Sequence, residues 1–301
     1  ADLMPGAEVS DAAAAFEFVD SWRLSVSATR YDVEEVKLTN VEAGLVEMVQ
    51  LRQNGLNVRA LFRIRSAVQR LGMKLPPGVK PGEAFDSQPV RINGEPINLE
   101  LGTGDELFIP LTSIPSDEPF LLDLRYKVPE TAKGMMLPRF SGDPAMQKIY
   151  LCVYVPREKA VLGSRGPWTN ELLKDKTPGQ VLLEGNVNEF LVEREKGKQI
   201  DNIKRKITAG IKRSIRTPDF KTDGRSFLFS ALRPDPDQEL KVVSISKWWV
   251  NALLVAGVIG IGLPLFRRPV TWQFGALVLM LAVIVLTGVF LPMLAQEMIG
   301  S

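Results

Sequence analysis

Apolar and polar residues alternate strictly through Trp22-Arg23-Leu24-Ser25-Val26-Ser27-Ala28-Thr29, the period of a strand that buries one face. The same period sets Val58, Ala60, Phe62 and Ile64 against the outward Arg59, Arg63 and Arg65. It returns at Phe120, Leu122, Leu124, Tyr126 and Val128, opposed by Asp123, Arg125 and Lys127. Burial on one face only predicts antiparallel sheets with solvent on the polar side. Ile149–Val155 differs: it is apolar on both sides and reads as a central sandwich strand, with Cys152 a small buried hydrophobe. Turn chemistry supplies the connections. Asn54-Gly55, between the runs Gly44–Gln53 and Leu56–Arg65, predicts a type I′ hairpin, and Asn93-Gly94 is a second such signal. Gly102-Thr103-Gly104-Asp105 is expected to turn the chain into Glu106–Pro110, and Pro76-Pro77-Gly78 and Pro81-Gly82 punctuate the stretch between.

The pattern changes after residue 155. Residues 156–185 read as irregular, and a helix is expected over about 186–216. Ile200, Ile203, Ile207, Ile211 and Ile215 recur at three- and four-residue steps and form one apolar stripe. The other faces are basic, and Lys204, Arg205, Lys212 and Arg213 are the residues that would touch anionic lipid or a partner. The stripe is rich in isoleucine and lacks tryptophan, so packing on the β domain is the favoured use of it. Thr217-Pro218 is the expected stop. Phe227–Leu232 and Leu240–Ile245 then read as a closing pair of strands.

Two long apolar runs follow, Trp248–Phe266 and Phe274–Ala295, joined by a short basic turn. About 20 apolar residues at 1.5 Å rise cross the roughly 30 Å hydrocarbon core of a bilayer. Trp248, Trp249 and Trp272 sit at the ends of the runs with Arg267 and Arg268, where interfacial residues belong. Ala252, Ala256 and Gly260 recur every fourth position and mark a helix-packing face. Neither run carries a charge, which argues against an ion path. The fold class expected is therefore mainly β: an antiparallel β-sandwich-like domain with one basic amphipathic helix, then a two-helix transmembrane hairpin. Its parts are 1–155, the packed-on segment 156–246, and 247–301. By count, Arg233, Lys241 and Lys247 outweigh Arg267 and Arg268 and favour a cytoplasmic domain. The all-β character and the start at Ala1 instead favour an extracytoplasmic domain, and that is the orientation expected. Such a start reads as a processed chain or a segment of a longer one.

Composition narrows the chemistry. The 301 residues contain no histidine, so Ser-His and Cys-His dyads, an HExxH site and any His-ligated metal are excluded. A formal net charge of +2 implies no nucleic-acid partner. One cysteine rules out an intrachain disulfide. Asp32, Glu34 and Glu35, the pair Asp117-Glu118, and Asp235 with Asp237 are the acidic clusters, and none has the spacing of a metal loop. Gly102-x-Gly104 lacks the third glycine and the following helix of a dinucleotide site. No catalytic residue, metal or cofactor is expected.

Leu71-Gly72-Met73-Lys74-Leu75-Pro76-Pro77-Gly78, then Pro89-Val90-Arg91-Ile92-Asn93-Gly94-Glu95-Pro96, then Leu107-Phe108-Ile109-Pro110-Leu111, resembles a β module of large, uncharacterised bacterial envelope proteins with C-terminal transmembrane helices. The resemblance covers about residues 40–130, and the order of Pro89-Val90 and Asn93-Gly94 departs from that module's. It implies a β-sandwich in the cell envelope and carries no catalytic residue. The function expected is a membrane-anchored, non-catalytic envelope protein. Its partners would be membrane lipids and other membrane or envelope proteins, met through the β domain. The alternatives are an accessory subunit docking through its helical hairpin, and a carboxylate-dependent enzyme acting on envelope polysaccharide.

Overall fold

The computed structural model describes residues 37–171, 189–211 and 220–249, less short gaps at 53–54, 86–87, 113, 117, 131–134 and 236, with positions 252, 256, 259 and 260. The expected strand at 22–29, the acidic cluster at 32–35, Asp117, Lys212, Arg213, Ile215, Arg267, Arg268 and Trp272 lie outside the described residues, as does nearly all of both apolar runs. Among the described residues no helix is long and apolar enough to cross a membrane.

The chain is mainly β. Its first strands are β1 (Thr39–Gln50), β2 (Leu56–Ser66), β3 (Arg70–Lys74), β4 (Val90–Ile92), β5 (Glu95–Pro96), β6 (Glu100–Leu101) and β7 (Glu106–Pro110). There follow β8 (Phe120–Val128), β9 (Arg139–Phe140), β10 (Ala145–Val155), β11 (Lys159–Arg165), β12 (Thr169–Asn170), β13 (Arg225–Leu232) and β14 (Lys241–Ser246). Among the described residues two helices accompany them, α1 (Pro81–Ala84) and α2 (Glu189–Thr208). Among the described residues the main sheet has eight strands in the order β12-β13-β10-β1-β2-β8-β4-β5. A four-stranded sheet, β6-β7-β3-β9, and a ribbon, β11-β14, complete the fold.

The alternation seen in the sequence sorts the main sheet into two faces. Val46, Met48, Val58, Ala60, Phe62, Ile64, Phe120, Leu122, Leu124, Leu151 and Val153 share one core with Leu71, Met73, Leu107, Ile109 and Phe140 of the small sheet. Each such side chain taken from water stabilises by about 1.5–3 kcal/mol, so this face dominates the packing energy. Phe62 meets Phe140 edge-on, ring centroids 5.3 Å apart.

Several expectations are corrected. The sheet is mixed rather than antiparallel: β1 pairs with β2 antiparallel but with β10 in parallel, Asn40 opposite Ala145 through Val49 opposite Tyr154. The double-sided apolar pattern of β10 is the pattern of a strand covered on both faces, which a parallel neighbour requires. Turn Asn93-Gly94 is the expected type I′, with φ of 51° and 88° between β4 and β5. The first hairpin sets Gln50 opposite Leu56, with Leu51 N–H donating to Gly55 O at 2.8 Å, and Asn54 of its expected turn lies outside the described residues. Within the stretch expected to be irregular, β11 and β12 form. The closing strands do not pair with each other; β13 pairs with β10 and β14 with β11.

Helix α2 ends at Thr208, well short of Thr217-Pro218, because Gly210 adopts φ of 76°, a left-handed conformation that stops a helix. Its Ile200, Ile203 and Ile207 are buried against Leu45, Val49, Leu61, Leu121, Cys152, Tyr154 and Leu228, with Ile211 partly buried beside them. The isoleucine stripe therefore packs on the sheet. Thus the second face of the main sheet, expected to be wet, is covered at its centre by α2.

Candidate functional site

Covering that second face traps charges which the alternation had assigned to solvent. Glu47 on β1 stands directly opposite Arg59 on β2, and Arg59 opposite Arg125 on β8. Asp123 lies two residues before Arg125 on the same face of β8. Glu47, Arg59 and Asp123 are buried, at 0%, 5% and 2% exposure. Arg59 binds Asp123 through two parallel bonds, Nε to Oδ1 at 3.2 Å and Nη2 to Oδ2 at 3.0 Å. That fork geometry is the strong form of a charge-assisted bond. Arg125 Nη2 adds a donor to Asp123 Oδ2 at 3.4 Å. Glu47 Oε2 faces Arg59 Nη1 at 3.8 Å, beyond hydrogen-bond reach.

The other oxygen of Glu47 ties the sheet to the helix. Lys204 of α2 reaches Glu47 Oε1 at 2.8 Å, and the Tyr154 hydroxyl donates to the same oxygen at 3.4 Å. Arg63, also expected to face outward, donates to the carbonyls of Ala209 and Ile207 at the C-terminal end of α2. A cation there satisfies carbonyls that have no partner within the helix and opposes the negative end of its dipole. Arg63 Nε meanwhile binds Glu42 at 2.7 Å, and Arg65 Nε binds the second oxygen of Glu42 at 3.1 Å. A bulge in β1 between Val41 and Ala43 aims Glu42 at this pair.

A cleft of about 390 Å³ opens beside this cluster, between the middle of α2 and the segment that leads into β13. Tyr154 and Lys204 line it, joined by Arg157, Asp201, Asp223 and Ser226. Burial pushes the Tyr154 phenol far up, with Cys152 and Glu47 adding to the shift. The Cys152 thiol is pushed up to about 12, mainly by burial, and is not a nucleophile at neutral pH. Glu47 and Asp123 are two buried carboxylates in one cluster, the arrangement that acid–base catalysis on a glycoside uses, but Arg59 stands between them and binds both. The geometry serves as an electrostatic tie between sheet and helix. Among the described residues no cluster of acidic or sulfur side chains could hold a metal ion.

The residues singled out from the sequence fare differently. Lys204 turns inward to Glu47, half-buried, while Arg205 is exposed and bonds the Asn202 side chain. Trp248 and Trp249 are 66% and 56% exposed, packed edge to face with centroids 4.8 Å apart. Ala252 is half-buried, and Ala256 and Gly260 are exposed. Glu118 lies on one turn and Asp235 and Asp237 share another, Asp237 N–H donating to Asp235 Oδ1 at 3.0 Å and its carboxylate pairing with Arg139 at 3.2 Å. Sequence reasoning missed the Glu47–Arg59–Asp123 cluster. Its one signal was the presence of charged residues inside three otherwise apolar strands.

No protein-family model matches the chain, and no curated protein matches it significantly. Solved structures similar to part of it include an M1 zinc metallopeptidase from Deinococcus radiodurans, at 13% identity and a TM-score of 0.30 over 44% of this chain and 35% of that one. Yeast LTA4 hydrolase in complex with Bestatin matches at 11% identity and a TM-score of 0.32, over 49% and 28%. Legionella pneumophila aminopeptidase A in complex with aspartic acid matches at 12% and 0.32, over 46% and 18%. The chain thus spans about a third or less of the length of these proteins, and no activity or residue carries over.

Proposed function

We propose that this chain is a membrane-anchored, non-catalytic envelope protein whose exported, sandwich-like β domain mediates protein–protein contacts. The supporting observation is the way the chain leaves the fold. Strand β14 is held to β11 up to Ser246 opposite Lys159, and Lys247 N–H donates to Glu158 O at 2.9 Å. The exposed Trp248–Trp249 pair follows at once, and the first apolar run begins there. Amphipathic indole rings favour the headgroup layer, so exposed tryptophans at this point suit a tether in which two apolar helices enter the bilayer. The tie of Arg59 to both buried carboxylates supports a structural rather than catalytic use of them. Leu101 and Leu232, 75% and 77% exposed, offer apolar contact points to a partner.

The test is extraction and cross-linking in native membranes. The full chain is expected to stay with membranes through alkaline carbonate washing, while a chain ending at Lys247 is released. A photo-crosslinker at Leu101 or Leu232 is expected to trap a discrete protein adduct. Release of the full chain by carbonate would overturn the anchor, and cross-linking to no protein at either position would overturn the contact role.

A further inference from the structure

The strands of the main sheet carry opposite charge at their two ends. At one end lie the described residues of 51–55, 156–159, 220–224 and 247–249. Contacts hold these segments together: Arg52 pairs with Glu158 at 3.1 Å, Lys247 bonds Glu158, and Gly224 lies against the Val155 carbonyl. They contribute five basic side chains, Arg52, Arg157, Lys159, Lys221 and Lys247, against the acidic Glu158 and Asp223, with Glu130 just past β8 a third acidic residue at this end. Leu51 and the tryptophan pair are exposed at this same end. The other end, built from residues 37–38, 114–119, 141–144 and 233–237, reverses the balance. There the four acidic side chains Glu118, Asp143, Asp235 and Asp237 stand against Lys37, Arg139 and Arg233, with Lys37 paired to Asp143 and Arg139 to Asp237.

We propose that the basic end of the sheet rests on the anionic phosphates of the lipid headgroups, so that the strands stand up from the membrane with their acidic end outermost. This rests on the membrane-anchored reading above. Three observations commit the surface to lipid. The apolar runs continue directly from it, the tryptophans sit within it, and its charge complements anionic headgroups. The attachment leaves little slack: Lys247 is bonded to the fold and Trp248 is the next residue. A soft linker would let the domain tumble; a bonded strand brings Arg52 and Arg157 to the headgroups each time the helices insert.

The test reads the two ends of one strand. Leu51 and Leu38 flank β1, and its 12 residues, at about 3.3 Å each, hold them roughly 40 Å apart. Single cysteines, Leu51→Cys or Leu38→Cys, are introduced into the full chain, labelled with a fluorophore, and reconstituted in nanodiscs carrying a headgroup quencher. Cys152 is buried and takes no label. Strong quenching is expected at Leu51→Cys and none above the lipid-free control at Leu38→Cys. The contrast should fall by at least about half without anionic lipid, in high salt, or in the pair Arg52→Glu with Arg157→Glu, since screening acts within about 10 Å. Salt and lipid are varied on the unaltered surface, so a misfolded double variant leaves the result decisive. Equal quenching at the two sites, or quenching indifferent to lipid charge, overturns this inference while the anchor stands. Failure of the chain to enter nanodiscs overturns the anchor itself.

Discussion

Arg59 is the residue on which the second face of the sheet depends, because it neutralises two carboxylates that have left water. Removing one partner from such a set leaves a buried charge without compensation. Arg59→Met should therefore destabilise the fold by about 3–5 kcal/mol in chemical denaturation. Replacing Glu47, Arg59 and Asp123 together by leucine should cost less than Arg59→Met, since the fully buried charges go together and the partly exposed Lys204 and Arg125 can turn to water. A triple variant less stable than Arg59→Met would sink this account. Cys152 gives a pH signature. Its thiol titrates near 9 in the unfolded chain and at about 12 in the fold, so the folded state holds the proton more tightly between those values. Its contribution is fully present below pH 9 and is lost as pH rises toward 12. Stability should decline over that window, and Cys152→Ala should make the decline shallower by one ionising group.

At the scale of elements, α2 is the most separable part of the described structure. Three buried isoleucines, the Lys204–Glu47 pair and the Arg63 bonds at its C-terminal end hold it to the sheet. Ile203→Ala with Ile207→Ala should weaken that seat by about 2–5 kcal/mol per site. Cys152 lies beneath the helix and reports on it: its modification by a thiol reagent at pH 8 should accelerate strongly in the double variant while the cooperative unfolding of the sheet remains. Unchanged reactivity would mean the helix is not what covers the thiol. Gly224 is a second element-level constraint. Its φ is 111°, and a Cβ there would come within 2.3 Å of the Val155 carbonyl oxygen. Gly224→Ala should cost at least about 1–3 kcal/mol from the backbone alone, seen as a lowered melting temperature.

For the whole molecule, the two faces of the main sheet differ in what they bury. One is an apolar core shared with the small sheet; the other is a smaller apolar patch threaded with ion pairs under α2. Cooperative stability should reside in the first. Native-state hydrogen exchange is expected to show the amides of β1, β2, β8 and β10 exchanging only on global unfolding, and those of α2 at lower free energy. Equal protection in both would contradict this division. The charge difference between the ends of the sheet belongs to the same scale, because it arises from loops far apart in sequence that the strand order gathers.

The sequence by itself determined the strands with period-two alternation, the type I′ turn at Asn93-Gly94, the isoleucine stripe of α2 and the buried state of Cys152. Each rests on residues adjacent along the chain, where side-chain direction and backbone preference act directly. Tertiary structure alone decided which polar faces stay wet. Arg59, Asp123 and Glu47 alternate as solvent-facing residues would, and only the docking of α2 from more than 60 residues away takes them out of water. The parallel pairing of β1 with β10 is of the same kind: strand existence is local, but strand order depends on which distant surfaces are buried together.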